Sequence, residues 1–362
     1  TPALGEAFAR ARTLCDTLGK PPQLFPLLWG LGAFYAVRAQ HRTALDLGAE
    51  VLQMAQQAGD PAQLVPAHLL TGGAKLWRGE FNEARMHLDA AVRQHVPEQH
   101  GALADVYSYE PGISARSYLA LNLWFLGHPD ESLASSQDAS ARATALNHFH
   151  TQVHTWVRAA QLHLLRREGP AALALAERIL AVSEDKGLAL WLGLGRALRG
   201  WALLENGQPE QGAAELRAGL AGWTATGADV HRAWLMTALA EAQLRGGRVD
   251  EGLATVTEAL GLCETLEDRL YEAEAHRMHG ELELARGDET RAEAHFTRAL
   301  EVARRQGARS LELRAALSQA RLWQRRGENV RARRLVEEAR APFGASTGSR
   351  DLEDAARLLG QL

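Results

Sequence analysis

Two groups of histidines contain the residue types that bind metals and transfer protons. The first group is spaced four, three and four residues apart, on one face of a predicted helix: Glu272, His276, His279 and Glu283. A His-x-x-His pair with flanking carboxylates suits a transition metal. The His-Glu-x-x-His motif is absent, however, and Arg277 offers the acids an ordinary ion-pair partner. A metal-dependent enzyme is therefore only a third alternative, and we predict no metal site.

A second histidine group contains His148, His150 and His154, and the same reasoning leaves it without a predicted metal. The sequence has no Gly-x-x-x-x-Gly-Lys-Ser/Thr phosphate loop, no Gly-x-Ser-x-Gly elbow and no Cys-x-x-Cys pair. The glycines of the stretch 193–197 lie within a helical pattern and read as packing contacts. We therefore predict no catalytic residues, no cofactor and no enzymatic activity.

The tryptophans point instead to a binding surface. Seven of them recur in the first helices of predicted helical hairpins: Trp77, Trp124, Trp156, Trp191, Trp201, Trp234 and Trp323. A large aromatic residue beside an arginine or glutamate is typical of a groove that binds a peptide or a small ligand. The alternative is that most of these rings fill gaps in the core. The predicted ligand-binding residues are Tyr109, Glu110, Arg116, Trp124, Phe125, Trp156, His163, Trp201 and Glu205.

Three of these residues come from, or follow, a surplus of about eight residues in the stretch 96–111. An insertion in a repeat protein maps to a loop on one face, often the binding face. Tyr109, Glu110 and Arg116 could therefore contact a ligand. The alternative is an ordered turn in which Glu110, Pro111 and Gly112 cap the next helix.

A repeat of about 40 residues must position these side chains. Each copy has an apolar helix end, a turn glycine and an alanine-rich second helix, and the turn positions are Gly79, Gly127, Gly169, Gly207, Gly247, Gly287 and Gly327, with a degenerate copy at Ala39. A fixed period in this range, with two helical patterns in each copy, is typical of a helical solenoid. Hairpins of about 17 residues per helix follow, the first over 23–58 and the second over 62–95.

Small residues recur where neighbouring helices must pack closely. Gly72, Gly200 and Gly280 lie seven residues before their turn glycines, and Phe296 is the large residue that alternates with them. This alternation resembles the tetratricopeptide pattern, although the period is longer than usual. We predict an all-α, right-handed superhelical solenoid of about eight extended hairpins over 1–345. A C-terminal capping helix follows over 346–362, and residues 2–18 would be the second helix of an incomplete hairpin.

Three longer stretches carry a family resemblance. Residues 109–133, 190–202 and 271–284 resemble the C-terminal helical-repeat region of large bacterial signalling proteins. In that family the repeats follow a STAND-type ATPase module, often together with a class III adenylate or guanylate cyclase domain or a DNA-binding domain. The resemblance implies a sensor or interaction module whose catalytic domains lie elsewhere in the same polypeptide. A free-standing adaptor is the runner-up.

Composition limits the partners and the compartment. The chain has 362 residues and a formal net charge of −4, so we expect neither nucleic acid nor an anionic membrane as a partner. Arginine is concentrated in residues 301–341, but interspersed acids favour a solvated face. No apolar run is long enough for a membrane span, and Cys15 and Cys263 read as buried thiols in a reducing cytosol. The expected partner is a protein, a peptide or a small effector in a concave groove.

Overall fold

The computed structural model describes residues 7, 10, 11, 13, 14 and 17, and then residues 23–97, 101–344, 346 and 348–362. Within these residues every regular element is a helix, so the predicted all-α solenoid is confirmed. Most of the predicted helix over 2–18, with Cys15, lies outside the described residues, and so does part of the insertion, residues 98–100.

Eight helical hairpins follow one another between residues 24 and 340 of the described ranges. They are α1 Leu24–Val37 with α2 His41–Ala58, α3 Pro61–Trp77 with α4 Phe81–Gln94, α6 Pro111–Phe125 with α7 Pro129–Leu146, α8 Phe149–Leu165 with α9 Gly169–Asp185, α10 Ala189–Glu205 with α11 Pro209–Ala225, α12 Arg232–Arg245 with α13 Val249–Thr265, α14 Glu272–Arg286 with α15 Glu289–Gln306, and α16 Arg309–Arg325 with α17 Asn329–Arg340. The insertion contains one further short helix, α5 Leu103–Tyr107, and the chain ends with α18 Arg350–Gln361.

Each hairpin turns at a residue in the left-handed backbone region. Six of the seven predicted turn glycines have this conformation, for example Gly207 with φ of 81°. The prediction was wrong at Gly169, which begins α9, because Arg167 makes that turn with φ of 63°. A side chain in this region costs about 1–2 kcal/mol, and Arg167 offsets part of the cost with a 3.0 Å hydrogen bond to Asp354.

Glycines allow the two helices of a hairpin to approach closely, as the sequence predicted. A Cβ atom at Gly200 would lie 2.6 Å from the backbone nitrogen of Leu216 and 2.7 Å from the carbonyl oxygen of Gly212. At Gly280 the space is taken by the ring of Phe296, 2.5 Å from where a Cβ would stand. The large and small residues of the repeat therefore interlock.

Successive turns of the solenoid contact each other directly. Val37 in the first hairpin accepts backbone hydrogen bonds from Asp229 and Val230, which open the sixth. Equivalent contacts join the second hairpin to the seventh and the third to the eighth: Arg269 and Leu270 donate to the Trp77 carbonyl, and the Ser310 hydroxyl donates to the Trp124 carbonyl. The chain thus completes a turn in five hairpins, and its concave surface faces the interior of the molecule.

The last helix, α18, packs against the eighth hairpin. Leu352, Ala355 and Leu358 join one apolar cluster with Trp323 and Val336. The Ser349 side chain accepts a hydrogen bond from the amide of Leu352 and so caps the helix start. The apolar face of the final hairpin is therefore covered.

Two further sequence features can be placed on this fold. Cys263 is buried on α13, and burial raises the pKa of its thiol. Among the helices of the described ranges, none combines the length and apolar character needed to cross a bilayer.

Candidate functional site

A cavity of about 200 Å³, here called the first chamber, lies inside the first six hairpins. First helices form most of its wall, as the sequence predicted. Helix α3 contributes Leu69, Gly73 and Trp77, and helix α8 contributes His150 and Arg158. Residues at four-residue steps share one helix face, which explains why each helix presents a row of side chains to the chamber.

Aromatic side chains dominate the wall and are fixed by their own contacts. The indole nitrogen of Trp29 donates a 2.9 Å hydrogen bond to the carbonyl of Pro66, and that of Trp223 donates a 2.7 Å bond to the carbonyl of Val230. The ring of Tyr109 stacks on His154 at 4.4 Å between centroids. Because these rings are held on several sides, the chamber is largely preformed.

Among the described residues, Arg158 is the one permanently charged side chain on this wall, and it is 4% exposed. Its guanidinium lies 5.2 Å from the ring centroid of Trp77 and 4.6 Å from that of Tyr118. It donates hydrogen bonds to Gln161 Oε1 at 2.6 Å and to His231 Nε2 at 2.9 Å. These partners are neutral side chains, so the charge is stabilised by rings and dipoles rather than by a carboxylate.

The chamber histidines are neutral at physiological pH. Burial, and then the neighbouring Arg158 guanidinium, hold the pKa values of His154 and His231 well below the usual range. Burial also lowers the pKa of His150. The chamber therefore has an apolar, aromatic wall with a single positive charge.

An aromatic layer separates this chamber from a second one. Trp234 lies between the two, with its ring centroid 6.5 Å from Trp77 on one side and 5.4 Å from Trp201 and 5.6 Å from Tyr271 on the other. The second chamber, about 130 Å³ in volume, is bordered by residues of the fourth to eighth hairpins and of α18. The interior is thus divided into two unlike parts.

The wall of the second chamber is charged, and its charges are paired. Arg314 donates a 2.9 Å hydrogen bond to Asp351, and Arg277 donates a 2.6 Å bond to Glu274. Glu205 lies 3.6 Å from Arg245, while burial and the neighbouring Glu241 carboxylate raise the Glu205 pKa. The negative charges of the acids and the positive charges of the arginines balance here. The described wall of this chamber therefore leaves no unpaired charge of the kind seen at Arg158.

The structure places three of the nine predicted site residues on a chamber wall. Tyr109 borders the first chamber, and Trp201 and Glu205 border the second. Glu110 instead caps α6, where its carboxylate accepts a 3.0 Å hydrogen bond from the amide of Gly112. The alternative interpretation of this turn as a helix cap is the one that the structure supports.

The other five predicted residues lie on neither wall. Trp124 and Phe125 are core residues, 1% and 0% exposed, because the Arg314 guanidinium covers the ring of Trp124 at 4.9 Å and the ring of Phe81 stacks on Phe125 at 4.7 Å. Trp156 is covered by the guanidinium of Arg178, 4.2 Å above its ring. Arg116 forms a 3.1 Å ion pair with Asp138, and His163 a 2.6 Å hydrogen bond with Glu168. These five residues are therefore not included in the proposed site.

The histidine group on α14 has its own partners. His279 stacks on His295 at 3.7 Å, and Glu283 accepts a hydrogen bond from Arg286. Within the described ranges, no group of three metal-ligating side chains is arranged to hold an ion.

Sequence reasoning did not select Arg158, His154 or His231 as site residues. One signal was present for Arg158: it stands alone as a charged residue between Val157 and Ala159, within an apolar first helix. A charged side chain at such a position is seldom buried without a role.

Comparisons with known proteins place the chain by fold. No family model matches it. An uncharacterized protein of Rhizobium meliloti is 23% identical over 313 residues, covering 84% of this chain and 30% of that protein. The chain therefore spans about a third of the length of this relative.

Several solved structures share the helical-repeat fold. A Rap protein complexed with competence and sporulation factor matches with a TM-score of 0.58 at 13% identity, covering 82% of this chain and 87% of that one. The Rap conjugation gene regulator of plasmid pLS20, in complex with a Phr peptide, has a TM-score of 0.58 at 10% identity and covers 93% and 97%. A human IFIT1 dimer with PPP-AAAA has a TM-score of 0.51 at 14% identity and covers 98% and 77%. The tetratricopeptide-like architecture is confirmed.

Proposed function

We propose that this chain is a non-catalytic sensor and interaction domain of a bacterial signal-transduction regulator, and that its first chamber binds a peptide, a protein segment or a small effector. The observation that carries the proposal is the chamber itself. It is preformed, lined by aromatic rings and adjacent to a buried guanidinium that has no acidic partner among the described residues. Concave, mostly apolar sites with a few convergent polar groups are where proteins bind small ligands.

The residues that border the chamber also join successive turns of the solenoid. Val37 and Trp77 line the chamber, and their carbonyl oxygens accept the hydrogen bonds from the hairpin five positions later. Val230, one of the donors, lines the same chamber. A ligand that contacts these side chains acts on the spacing between turns and so shifts the population of the closed superhelix.

The resemblance of the repeats to those beside STAND-type ATPase and cyclase modules supports an output domain in the same polypeptide and a cytoplasmic location. The Rap structures that share the fold contain competence and sporulation factor or a Phr peptide, which supports an effector of that kind. The IFIT1 structure contains PPP-AAAA, but the net charge of −4 and the single arginine among the described residues of the chamber wall favour a different ligand here. A free-standing adaptor that recruits a protein partner is the alternative.

A thermal-shift screen of peptides and small metabolites tests the proposal. The screen is repeated on Ala36→Trp, which fills the first chamber, and on Val330→Trp, which adds the same ring at a position 86% exposed on the outside. We expect ligands that stabilise the wild type and Val330→Trp but not Ala36→Trp. Ligands that stabilise all three equally would place binding elsewhere and contradict the proposal.

A further inference from the structure

We propose that the ligand of the first chamber is an aromatic or similarly apolar monocarboxylate whose carboxylate pairs with Arg158. The inference rests on the proposed function, because it names the chemical class of ligand that the same chamber selects. Three features of the chamber support it: the unpaired charge, the excess of hydrogen-bond donors and the shape of the wall.

Arg158 differs from the other buried arginines of the described residues in having no carboxylate partner. Arg166 lies 2.9 Å from Glu168, and Arg314 lies 2.9 Å from Asp351. Within the described residues, no acidic side chain lies within 4.0 Å of the Arg158 guanidinium, although Arg158 is more deeply buried than Arg314. Burying an ion without a counter-charge is costly, so this site is completed by an anion from outside the chain.

The polar atoms around Arg158 are short of acceptors. The Nε atom of Arg158 has no hydrogen-bond partner in the structure as described. The amide nitrogen of Gln161, whose side-chain oxygen accepts a hydrogen bond from Arg158, also has none. Both unpaired groups are donors, and a carboxylate supplies acceptors only.

The size and wall of the chamber define the rest of the ligand. At about 200 Å³ it is smaller than the roughly 300–1,000 Å³ clefts that hold drug-sized molecules, so it suits one ring or two fused rings. Trp29, Trp77, Tyr118 and Trp191 offer ring faces and edges. One arginine among neutral histidines balances one negative charge, which favours a carboxylate over a phosphate dianion.

Isothermal titration calorimetry of the full chain tests the charge requirement. The probes are 3-phenylpropionate and indole-3-acetate, each against its neutral primary amide. We expect each acid to bind the wild type about 10- to 100-fold more tightly than its amide, the range for hydrogen bonds to a charged group. Arg158→Gln removes this preference, and Arg158→Lys keeps part of it. Arg178→Gln, which removes the arginine that covers Trp156, leaves it unchanged.

A second arm identifies the source of the carboxylate. A tetrapeptide ending in phenylalanine is compared as the free acid and as the C-terminal amide. Preference for the peptide acid over both small acids would assign the carboxylate to a peptide terminus, and the reverse preference to a small metabolite. Either result supports the shared chemistry.

Three results would overturn the inference: amides binding as tightly as acids, acid preference persisting in Arg158→Gln, or no acid binding up to about 10 mM. The comparison of acid with amide is made on the wild type and needs no variant. The inference therefore stays testable even if Arg158→Gln does not fold. If acid and amide bind equally and Ala36→Trp abolishes both, the inference fails while the proposed function stands.

Discussion

The backbone carbonyl of Trp77 accepts a 2.8 Å hydrogen bond from the amide of Arg269, which lies five hairpins further along the chain. The indole of the same tryptophan forms part of the first chamber. One residue therefore belongs both to the wall of the first chamber and to the contact between two turns of the solenoid. Under the proposed function, this shared residue links ligand binding to closure of the superhelix.

The contacts between turns predict a hydrogen-exchange pattern. The amides of Asp229, Val230, Arg269 and Leu270 lie outside helices, yet they donate to Val37 and Trp77. We expect them to exchange about 100-fold more slowly than free loop amides, and more slowly still when the chamber is occupied. Mass spectrometry of peptides covering 227–231 and 266–271 measures this rate. Exchange at the rate of an unstructured loop would show that the turns do not stay in contact.

The ion pairs beside these contacts predict a local effect. Glu267 accepts hydrogen bonds from Arg42 and Arg78, so it joins the first two hairpins to the loop before the seventh. Glu267→Gln should speed exchange in 266–271 while lowering the free energy of unfolding by less than about 1 kcal/mol, because the group is partly exposed. Unchanged exchange in that peptide would mean that the backbone contacts hold the turns together without this carboxylate.

Close helix packing in the fifth hairpin predicts opposite effects for two glycines. Gly200→Ala places a methyl group 2.6 Å from the backbone nitrogen of Leu216 and should lower the free energy of unfolding by about 1–3 kcal/mol. Gly261→Ala meets no atom within 4 Å on a helix and should raise it by about 0.5–1 kcal/mol. Urea unfolding measures both. Equal effects of the two substitutions would contradict the packing of α10 on α11.

The ion pair that attaches α18 to the eighth hairpin predicts that replacing its buried acid lowers the free energy of unfolding. Asp351→Asn removes the ionic partner of Arg314, whose side chain is 9% exposed, and should cost about 3 kcal/mol. The matched control is Glu338→Gln, which breaks the exposed pair with Arg334 and should change stability by less than about 0.5 kcal/mol. Thermal or urea unfolding of the two variants gives the comparison. Similar small losses would show that α18 is not held by its buried pair.

The buried carboxyl of Asp268 predicts that the stability of the folded chain depends on pH. Burial raises the pKa of this carboxyl from 3.8 to about 7, against backbone hydrogen bonds from His231 and Leu270 that lower it. Between pH 4 and pH 7 the unfolded chain has lost this proton and the folded chain keeps it. The carboxyl therefore lowers stability progressively as the pH rises through that window.

Asp268→Asn removes this titration and keeps the shape of the side chain. The variant should gain about 3–4 kcal/mol relative to the wild type between pH 4 and pH 8. Urea titrations at several pH values measure the difference between the two proteins, so other titrating groups cancel. A difference that does not vary with pH would show that Asp268 is ionised throughout.

The sequence predicted the fold more completely than the site. Turn glycines such as Gly79 and the glycine and phenylalanine pair at Gly280 and Phe296 are local signals, and they identified eight hairpins. The contact of Trp77 with Arg269 could not be predicted in this way. It depends on the small rotation between neighbouring hairpins, which accumulates over a whole turn of the solenoid.

The site residues were harder to predict from the sequence, because the rotation of each helix about its axis decides which side chains face the interior. Successive residues of a helix are rotated by about 100°, so assigning tryptophans to first helices does not distinguish the inner wall from the core. Trp77 and Trp191 face the first chamber, while Trp124 lies in the core. Arg158 donates a hydrogen bond to His231, which lies two hairpins later in the chain. This contact forms only when the solenoid folds, so the sequence around Arg158 does not reveal it.

A crystal structure of the chain soaked with the tightest ligand from the screen tests the location of the site most directly. We expect ligand density in the first chamber, against its aromatic wall and in contact with Arg158. Ligand density in the second chamber or on the outer surface, with the first chamber empty, would contradict the proposed function.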